Sequence, residues 1–226
     1  MEKDNKLKVF LSGQKWFGYE VFMLLKNLPF VEIVGVCAPT GDRLGELAQT
    51  FDLPIVMAGN LRHDTMPDNV DLGITAHSFD YIGGLTRFKT RLGWIGYHPS
   101  LLPRHRGRAS IEWAIRMRDI ITGGTVFWLN SGIDRGDIAC QDWVFVDPKL
   151  WLVEPKKAAK ILWETELQEM GLTLLKRCLN DIKKGNLIKI PQDKRFSTFE
   201  PNTDKKDIFK PDLLMLEQYA GGGGSN

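Results

Sequence analysis

The sequence predicts an α/β fold, a Rossmann-like, doubly wound and mostly parallel sheet with helices on both faces. Two observations lead to this prediction. Short apolar runs alternate with stretches of helical periodicity through the first third of the chain. Most of these runs are apolar throughout, as is typical of parallel strands that are buried on both faces. Strands that alternate with helices favour crossover connections, and hence a doubly wound sheet.

The first third of the chain contains four predicted strands and two predicted helices. The strands are predicted at 7–12, 32–38, 54–56 and 71–76. Apolar residues at three-to-four spacing predict a helix at 19–28, which Pro29 stops, and a second helix is predicted at 44–51. Glycine or proline residues separate these elements.

The rest of the fold follows from an apolar run at 94–97, which predicts a buried strand. Further strands are predicted at 124–129, 138–145 and 187–190, with a helix at 109–115. One long helix is predicted at 155–184, because Pro155 suits a first helical position and Gly185 is a good stop. We assign 1–190 to the α/β domain, 191–220 to an extended arm and 221–226 to a glycine-rich tail.

Composition excludes several classes of protein. The chain of 226 residues has 43% hydrophobic and 26% charged residues, as a globular protein does, and a net charge of +2. That charge is too small to indicate a nucleic-acid or membrane surface. No apolar run is long enough to span a membrane, and the polar start lacks a signal region. Three widely spaced cysteines fit neither a disulfide framework nor a zinc site, so we expect no metal and a cytoplasmic location.

The turn after the first predicted strand argues against a dinucleotide site. It runs Gly13-Gln14-Lys15-Trp16-Phe17-Gly18. Two glycines replace the three of the dinucleotide fingerprint, and the bulky Trp16 and Phe17 would obstruct a pyrophosphate. The turn also lacks the Gly-Lys-Ser/Thr ending of a phosphate-binding loop. The predicted architecture is therefore Rossmann-like without the usual cofactor signature.

A histidine follows the strand predicted at 94–97 and begins a loop with two prolines. This signature loop reads His98-Pro99-Ser100-Leu101-Leu102-Pro103-Arg104-His105-Arg106-Gly107. Ligands bind beyond the carboxyl ends of strands in open α/β sheets, and imidazole exchanges protons near neutral pH. Because the prolines hold the loop in one shape, His98 is a candidate for acid–base chemistry. The alternative is a hydrogen-bonded histidine with no chemical role.

A second polar motif follows downstream and reads Ser131-Gly132-Ile133-Asp134-Arg135-Gly136-Asp137. In order and spacing, the two motifs resemble those of the folate-dependent formyltransferase family, whose members use 10-formyltetrahydrofolate. The signature loop and the turn at 13–18 are most similar to the hydrolase domain of 10-formyltetrahydrofolate dehydrogenase.

The resemblance implies roles for residues of both motifs. It implies that His98 and Asp134 are catalytic; for Asp134 the alternative is an Asx turn before Gly136. It implies that 10-formyltetrahydrofolate is the formyl donor, in contact with Ile82, Gly83, Leu101, Leu102, Gly132 and Ile133. The segment that contains Ile82 and Gly83 matches only by position, and a plain turn is its alternative. His77, in that segment, is not favoured as a second catalytic imidazole.

The sequence departs from the family at Gly96, because the family pattern Asn-x-His has asparagine there. Loss of one donor to an oxyanion typically costs about 100- to 1000-fold in rate. Three explanations stay open: water or a neighbouring side chain replaces the amide, the acceptor needs less help, or the protein binds folate without efficient catalysis. Gly96 also leaves room for a water beside the formyl carbon. If φ at 96 is negative, we expect Gly96→Asn to be tolerated.

Arg104 and Arg106 make the signature loop basic. They are candidates for binding an anionic acceptor or the glutamate of the folate. The alternative is a solvated loop whose arginines form salt bridges within the protein.

The function that the sequence favours is transfer of a formyl group from 10-formyltetrahydrofolate to an amine of a small-molecule acceptor. One alternative is a hydrolase that releases formate, with water as the acceptor. Another is a catalytically weak folate- or nucleotide-binding module. The chain is shorter than family members with a C-terminal β-barrel and its net charge is low, so we expect no nucleic-acid partner. The sequence leaves open both the acceptor and a homo-oligomeric state.

Overall fold

The computed structural model describes residues 6–78 and 80–203, and these form one seven-stranded sheet in the order β3–β2–β1–β4–β5–β6–β7. The strands are β1 Leu7–Gly13, β2 Val31–Ala38, β3 Ile55–Met57, β4 Leu72–Ala76, β5 Gly93–His98, β6 Ile121–Trp128 and β7 Ile138–Phe145. The first five are parallel, and β6 and β7 run antiparallel to their neighbours. The predicted class, a mostly parallel doubly wound sheet, is confirmed.

Helices cover the sheet unequally on its two faces. They are α1 Lys15–Lys26, α2 Arg43–Gln49, α3 Gly84–Phe88, α4 Ser110–Arg116, α5 Pro155–Leu162 and α6 Gln168–Lys183. One face packs against α1, α2 and α6. The other face is covered by the short α3 and by irregular chain that contributes Leu61, Met66 and Val70. Among the described helices, none is long and apolar enough to cross a membrane.

The face that carries the signature loop is built on two packed aromatic rings. Phe10 of β1 and Trp94 of β5 meet edge to face, with ring centroids 6.0 Å apart. A Cβ at Gly73 of β4 would lie 2.0 Å from the Trp94 ring. Only glycine therefore lets Trp94 lie across the neighbouring strand, and this packing fixes β5 beside β4.

The turn at 13–18 is shorter than the sequence predicts, because α1 begins at Lys15 rather than at 19. A Cβ on Gly13 would lie 3.2 Å from the Cα of Gly18. The two glycines thus allow the close approach of α1 to the end of β1. They serve packing, which agrees with the absence of a dinucleotide fingerprint.

The single helix predicted at 155–184 is wrong in its middle, where a π-helical turn at Trp163–Leu167 separates α5 from α6. The hydroxyl of Tyr97 in β5 donates to the Leu167 carbonyl over 2.6 Å. Trp163 packs edge to face on Phe17 at a centroid distance of 5.4 Å. The widened turn thus presents a carbonyl and a ring to the sheet, an arrangement typical of π-bulges.

The strand predicted at 187–190 is also wrong. Ile190 forms only an isolated antiparallel bridge with Ile138 of β7. Beyond it, residues 188–203, which we name the C-terminal segment, cross the signature loop. Of the arm predicted at 191–220, positions 204–220 lie outside the described residues, as does the tail at 221–226.

Candidate active site

His98 is the last residue of β5 and stands at the carboxyl end of the parallel strands. Its Nε2 lies 2.7 Å from the carbonyl oxygen of His105. A carbonyl oxygen only accepts, so Nε2 carries a hydrogen in this arrangement. Nδ1 therefore remains as the nitrogen that exchanges protons with a ligand.

Asp134 meets this nitrogen from the loop between β6 and β7. Its Oδ2 lies 3.6 Å from Nδ1 of His98, and the side chains are 18% and 8% exposed. Oδ2 also accepts a hydrogen bond from the backbone N–H of Gly107 over 2.8 Å. The carboxylate is thus tied to the signature loop, as well as to its own loop. The structure brings together the two residues that the sequence singled out.

The arrangement can perform proton transfer. Neutral His98 has its lone pair on Nδ1, and after protonation the imidazolium faces the carboxylate of Asp134. The 3.6 Å separation is longer than a good N–H···O hydrogen bond. Nδ1 is therefore not engaged in a close hydrogen bond with Asp134, and the pair can act on a ligand atom that approaches both groups.

His105 anchors the signature loop from within the protein. Its Nε2 lies 2.7 Å from Oδ2 of Asp119, and its Nδ1 makes a 3.0 Å charge contact with Glu200 rather than a well-aligned hydrogen bond. Burial alone would lower the pKa of His105, but the contacts with Asp119 and Glu200 outweigh it and raise the pKa above its ordinary value. Burial would raise the pKa of Asp119, but hydrogen bonds from His105 and Arg104 lower it to about 2.

The C-terminal segment holds both loops of the site through Gln192. The Gln192 Oε1 accepts from Nε and an Nη of Arg106 over 3.1 and 2.6 Å. Its Nε2 donates to the carbonyls of Asp134 and Gly136 over 2.9 and 2.7 Å. The backbone of Asp134 is left-handed, with φ of 51°, and the hydrogen bond from Gln192 to the Asp134 carbonyl holds it in that conformation. No motif in the polar C-terminal segment marks Gln192, so its role could not be predicted from the sequence.

Thr198 gives the C-terminal segment a second attachment. Its Oγ1 accepts from the His105 N–H over 2.8 Å, and its carbonyl accepts from the Arg106 N–H over 3.2 Å. The backbone N–H of Thr198 donates to the Pro103 carbonyl over 3.1 Å. The signature loop is therefore paired with this segment in the manner of a short strand.

The arginines predicted to bind an anion are engaged with protein groups. Arg104 forms a two-pronged ion pair with Asp119, at 2.9 and 2.6 Å. Arg106 is buried and bonded to Gln192. Burial, followed by the charge of Arg135, lowers the pKa of Arg106. The geometry agrees with the alternative for Arg104, a salt bridge within the protein, and the Arg106 guanidinium is likewise bonded within the protein.

Leu102, predicted to contact folate, lies in the protein interior with 3% exposure. Its N–H donates to Thr125 Oγ1 over 3.1 Å, and its carbonyl accepts from Gln141 over 2.8 Å. The bond from Gln141 leaves the carbonyl oxygen a second lone pair, so a backbone contact between Leu102 and folate stays a prediction, whereas the buried side chain is not positioned to face a ligand. Its neighbour Leu101 is half-buried and lies against Gly123.

The remaining predicted folate contacts lie on either side of the site. Ile82 is 4% exposed and packs in the core beneath β4 and β5, and its carbonyl accepts from Arg87. Its side chain therefore does not face a ligand. Gly83 caps the N-terminus of α3. On the other side, the Gly132 N–H is bonded to Asn130 over 2.9 Å, and Ile133 is 60% exposed.

His77 follows β4 but does not join His98. Its ring stands edge to face with Trp163, at a centroid distance of 6.3 Å, on the side of the sheet that α1 covers. Burial, followed by the positive charge of Lys15, lowers its pKa. This position supports leaving His77 out of the catalytic set.

Gly96 lies in β5 with no positive φ, but the space beside it is filled. A Cβ at this position would lie 2.4 Å from Thr75 Oγ1 and 3.1 Å from a methyl carbon of Leu129. The expected room for a water is therefore taken by Thr75. The expectation that Gly96→Asn is tolerated is also wrong, because the side chain would collide although the backbone φ is suitable.

A buried polar cluster lies beside Thr75 on the same edge of the sheet. The hydroxyls of Ser12 and Ser78 are 2.8 Å apart, and Asp80 Oδ1 accepts from the Gly59 N–H over 2.6 Å. The Cys37 thiol donates to Asp80 over 3.4 Å. Burial, followed by the charge of Asp80, raises the pKa of Cys37 to about 12. The thiol is thus unsuited to act as a nucleophile.

Two surface cavities lie at the opposite edge of the sheet from His98. Their volumes are about 410 and 630 Å³, and both are lined by Lys6 and Pro29, near the start of β1. Neither touches the signature loop or Asp134, so we do not connect them with the site. Within the described part of the chain, no three histidine, cysteine or acidic side chains are grouped to hold a metal ion.

Comparison with known proteins adds a family to this geometry. A family model described as formyl transferase matches residues 60–158, a range that includes the signature loop and Asp134. Methionyl-tRNA formyltransferase of Coprothermobacter proteolyticus is 31% identical, and the match covers 94% of this chain and 68% of that protein. Human cytosolic 10-formyltetrahydrofolate dehydrogenase is 29% identical, and the match covers 90% of this chain. The chain spans only 23% of the length of that human protein.

A solved structure supports the fold. The N-formyltransferase from Helicobacter canadensis, in complex with folinic acid and dTDP-3-aminofucose, superimposes with a TM-score of 0.67 at 15% identity. The match covers 88% of this chain and 72% of that one. At this identity the likeness concerns the fold alone.

Proposed function

The chain belongs to the formyl transferase family, and from this premise we propose that it transfers the formyl group of 10-formyltetrahydrofolate to an amine of a small-molecule acceptor. The observation that carries the proposal is the pairing of His98 Nδ1 with Asp134 Oδ2 at 3.6 Å, with Nε2 held by the His105 carbonyl. Relatives named for formyl transfer, or for 10-formyltetrahydrofolate, support it.

The reaction requires three events at one carbon. The acceptor nitrogen attacks the formyl carbon, and the electrons of the C=O bond move onto oxygen. The amine then loses a proton, and Nδ1 of His98 accepts it while Asp134 stabilises the imidazolium. The oxyanion then re-forms the C=O bond, the bond from the formyl carbon to N10 breaks, and N10 receives the proton from the His98 imidazolium. The products are a formylated amine and tetrahydrofolate.

The surroundings of His98 suit a flat, partly apolar donor. Tyr81, beyond the end of β4, is 73% exposed, and Ile133, on the opposite side, is 60% exposed. Among the residues that the structure describes, and apart from Gly83 and its two chain neighbours, no atom lies within 4 Å of the position that a Cβ on Gly83 would take. In our proposal Tyr81 and Ile133 flank the pterin, and the backbone near Gly83 and Gly132 lies beside its polar edge.

A product assay tests the proposal. The protein is mixed with 10-formyltetrahydrofolate labelled in the formyl group, with and without each of a panel of amino sugars, amino acids and amino nucleotides. We expect one amine to speed tetrahydrofolate release about tenfold or more, with the label recovered on that amine. Absence of folate binding, measured by calorimetry with 5-formyltetrahydrofolate at millimolar concentration, would contradict the proposal.

Hydrolysis is the second candidate, because Gly96 places no amide beside the formyl carbon and the human relative is a 10-formyltetrahydrofolate dehydrogenase. Release of labelled formate at the same rate with and without every amine would favour it. The third alternative, a catalytically weak binding module, predicts folate or nucleotide binding with no release of either product.

A further inference from the structure

Thr75 lies one strand away from Gly96 and on the same face of the sheet. β4 and β5 are parallel, and Thr75 and Gly96 are partners in register. Side chains of register partners point to the same face, and so do side chains two residues apart on one strand. Thr75, the side-chain position of residue 96 and the imidazole of His98 therefore share one face near the carboxyl ends of the strands.

Among Thr75 and the residues paired beside it and beside Gly96 on adjacent strands, Thr75 is the available hydrogen-bond donor. Ser12, its partner on β1, is fully buried and bonded to Ser78. Phe127, the partner of Gly96 on β6, is apolar. The Thr75 hydroxyl is half-buried, and the hydrogen bond recorded for it is a long one, 3.5 Å to the Ile95 carbonyl. Such a bond is weak, so the hydroxyl hydrogen is free to turn toward a stronger acceptor.

We propose that the Thr75 hydroxyl donates a hydrogen bond to the oxyanion that forms on the formyl group, and so does the work of the side chain that Gly96 lacks. The inference rests on the proposed function, because it presupposes attack on a formyl carbonyl. Thr75 keeps its proton throughout. It stabilises the charge that appears on oxygen when the nucleophile adds, and that disappears when the bond to N10 breaks.

The distance between the Thr75 hydroxyl and residue 96 supports this role for Thr75. Thr75 Oγ1 lies 2.4 Å from the position of a Cβ on residue 96. By standard bond lengths, the amide nitrogen of an asparagine is also about 2.4 Å from its own Cβ. The hydroxyl thus sits at the distance from residue 96 at which an asparagine would hold its donor. It also excludes any side chain there, so Gly96 and Thr75 depend on each other.

Matched variants test the role of the hydroxyl. Thr75→Val keeps the shape and removes the donor, whereas Thr75→Ser keeps the donor. We expect Thr75→Val to lower kcat by about 100-fold, with the Kd for 5-formyltetrahydrofolate within about threefold of the unaltered protein. Thr75→Ser should recover at least about a fifth of the original kcat. Thr90→Val, which removes a buried hydroxyl at the opposite end of β5, is the control for general damage and should not change kcat.

A paired exchange gives an independent readout. Gly96→Asn alone should be almost inactive, because it collides with Thr75. In the double variant Thr75→Ala with Gly96→Asn, the colliding oxygen is gone and an amide donor is present. We expect its kcat to exceed that of Thr75→Ala alone by about tenfold or more. This gain is not expected if Thr75 is merely structural.

The outcomes separate the inference from the proposed function. An active unaltered protein whose kcat is equal in Thr75→Val and Thr75→Ser overturns the inference and leaves the proposed function standing. The same holds if the double variant is no better than Thr75→Ala. An unaltered protein that binds folate but releases neither formylated amine nor formate overturns both.

Discussion

At the scale of single residues, the two nitrogens of His98 have different environments. The carbonyl of His105 fixes the orientation of the ring through Nε2, and Nδ1 faces Asp134. A histidine held in this way needs no movement to accept a proton. The catalytic contribution of the pair is then felt mainly in the transition state and little in folate binding.

We therefore expect His98→Ala and Asp134→Asn to lower kcat by about 1000-fold or more, and to leave the Kd for 5-formyltetrahydrofolate within about tenfold. Asparagine at 134 keeps an oxygen for the Gly107 N–H, so the loop should stay in position while its charge is lost. Kinetics and calorimetry on the same samples check this. A large loss of folate affinity in both variants would assign the residues to binding instead.

The residues that sequence reasoning found and missed differ in how local their signals are. His98 and Asp134 lie in motifs that a short stretch of sequence displays. Gln192 acts on Asp134 from 58 positions away, and Thr75 is relevant only because strand pairing sets it beside Gly96. Such partners are chosen by the tertiary fold. No local pattern of residue types marks them.

At the scale of elements, the C-terminal segment behaves as a strap that joins the signature loop to the loop of Asp134. Gln192 uses its oxygen for Arg106 and its nitrogen for two carbonyls, so one side chain spans both loops. Its removal would leave buried polar groups without partners, at a cost of about 1–3 kcal/mol. It would also free the backbone of Asp134.

We expect Gln192→Ala to lower kcat by about 10- to 100-fold, because small displacements of a catalytic group are costly. The urea midpoint should fall as well. Gln168→Ala, which removes a glutamine that donates to the Glu164 carbonyl on its own helical turn, is the matched control and should do neither. If Gln192→Ala loses stability but keeps its kcat, the segment is structural and does not position the site.

The π turn between α5 and α6 is the second element that sequence periodicity did not reveal. The Leu167 carbonyl of this turn accepts a hydrogen bond from Tyr97, which lies 70 positions away on β5. Burial raises the pKa of the Tyr97 phenol well above its usual range. The phenol therefore stays a neutral donor. The periodicity of apolar residues predicts the buried face of the helix, but it does not predict which carbonyl forms a hydrogen bond with a distant side chain.

Tyr97→Phe should reduce the free energy of unfolding by about 1 kcal/mol, since it removes one hydrogen bond and keeps the ring. The Tyr97 side chain lies on the α1 and α6 side, against Phe17 and Trp163, so kcat should change by less than about twofold. Urea denaturation and steady-state kinetics measure the two effects. An unchanged unfolding free energy would mean that the Leu167 carbonyl finds another donor.

At the scale of the whole molecule, the sheet was predictable because its strands are apolar and separated by clear turn signals. The site could be predicted in the same way, because β5 ends at His98 and ligands bind beyond the carboxyl ends of the strands in such sheets. Apolar content alone did not distinguish a true strand from the 187–190 run, which makes a single bridge. Nor could it show that the C-terminal segment lies over the signature loop.

The cluster that His105 forms with Asp119 and Glu200 makes the free energy of unfolding depend on pH. His105 joins Asp119 and Glu200, and its raised pKa means that this stabilisation is complete below the ordinary histidine value of 6.5 and is lost as pH rises through the folded pKa. The lowered pKa values of Asp119 and Glu200 act in the other direction. Their contribution is present above their ordinary values of 3.8 and 4.5, and is lost as pH falls through the folded values, about 2 for Asp119.

We therefore expect the stabilisation that these three groups contribute to be greatest between about pH 4.5 and 6.5, and to decline as the solution becomes more alkaline. His105→Gln should remove much of that alkaline decline, because glutamine cannot lose the proton that binds the two carboxylates. His63→Gln changes an exposed histidine and should keep the original profile. Urea unfolding at a series of pH values measures all three proteins. An alkaline slope that is the same in His105→Gln as in the unaltered protein would show that groups elsewhere control the stability, and that the signature loop and the C-terminal segment are held together without a charged His105.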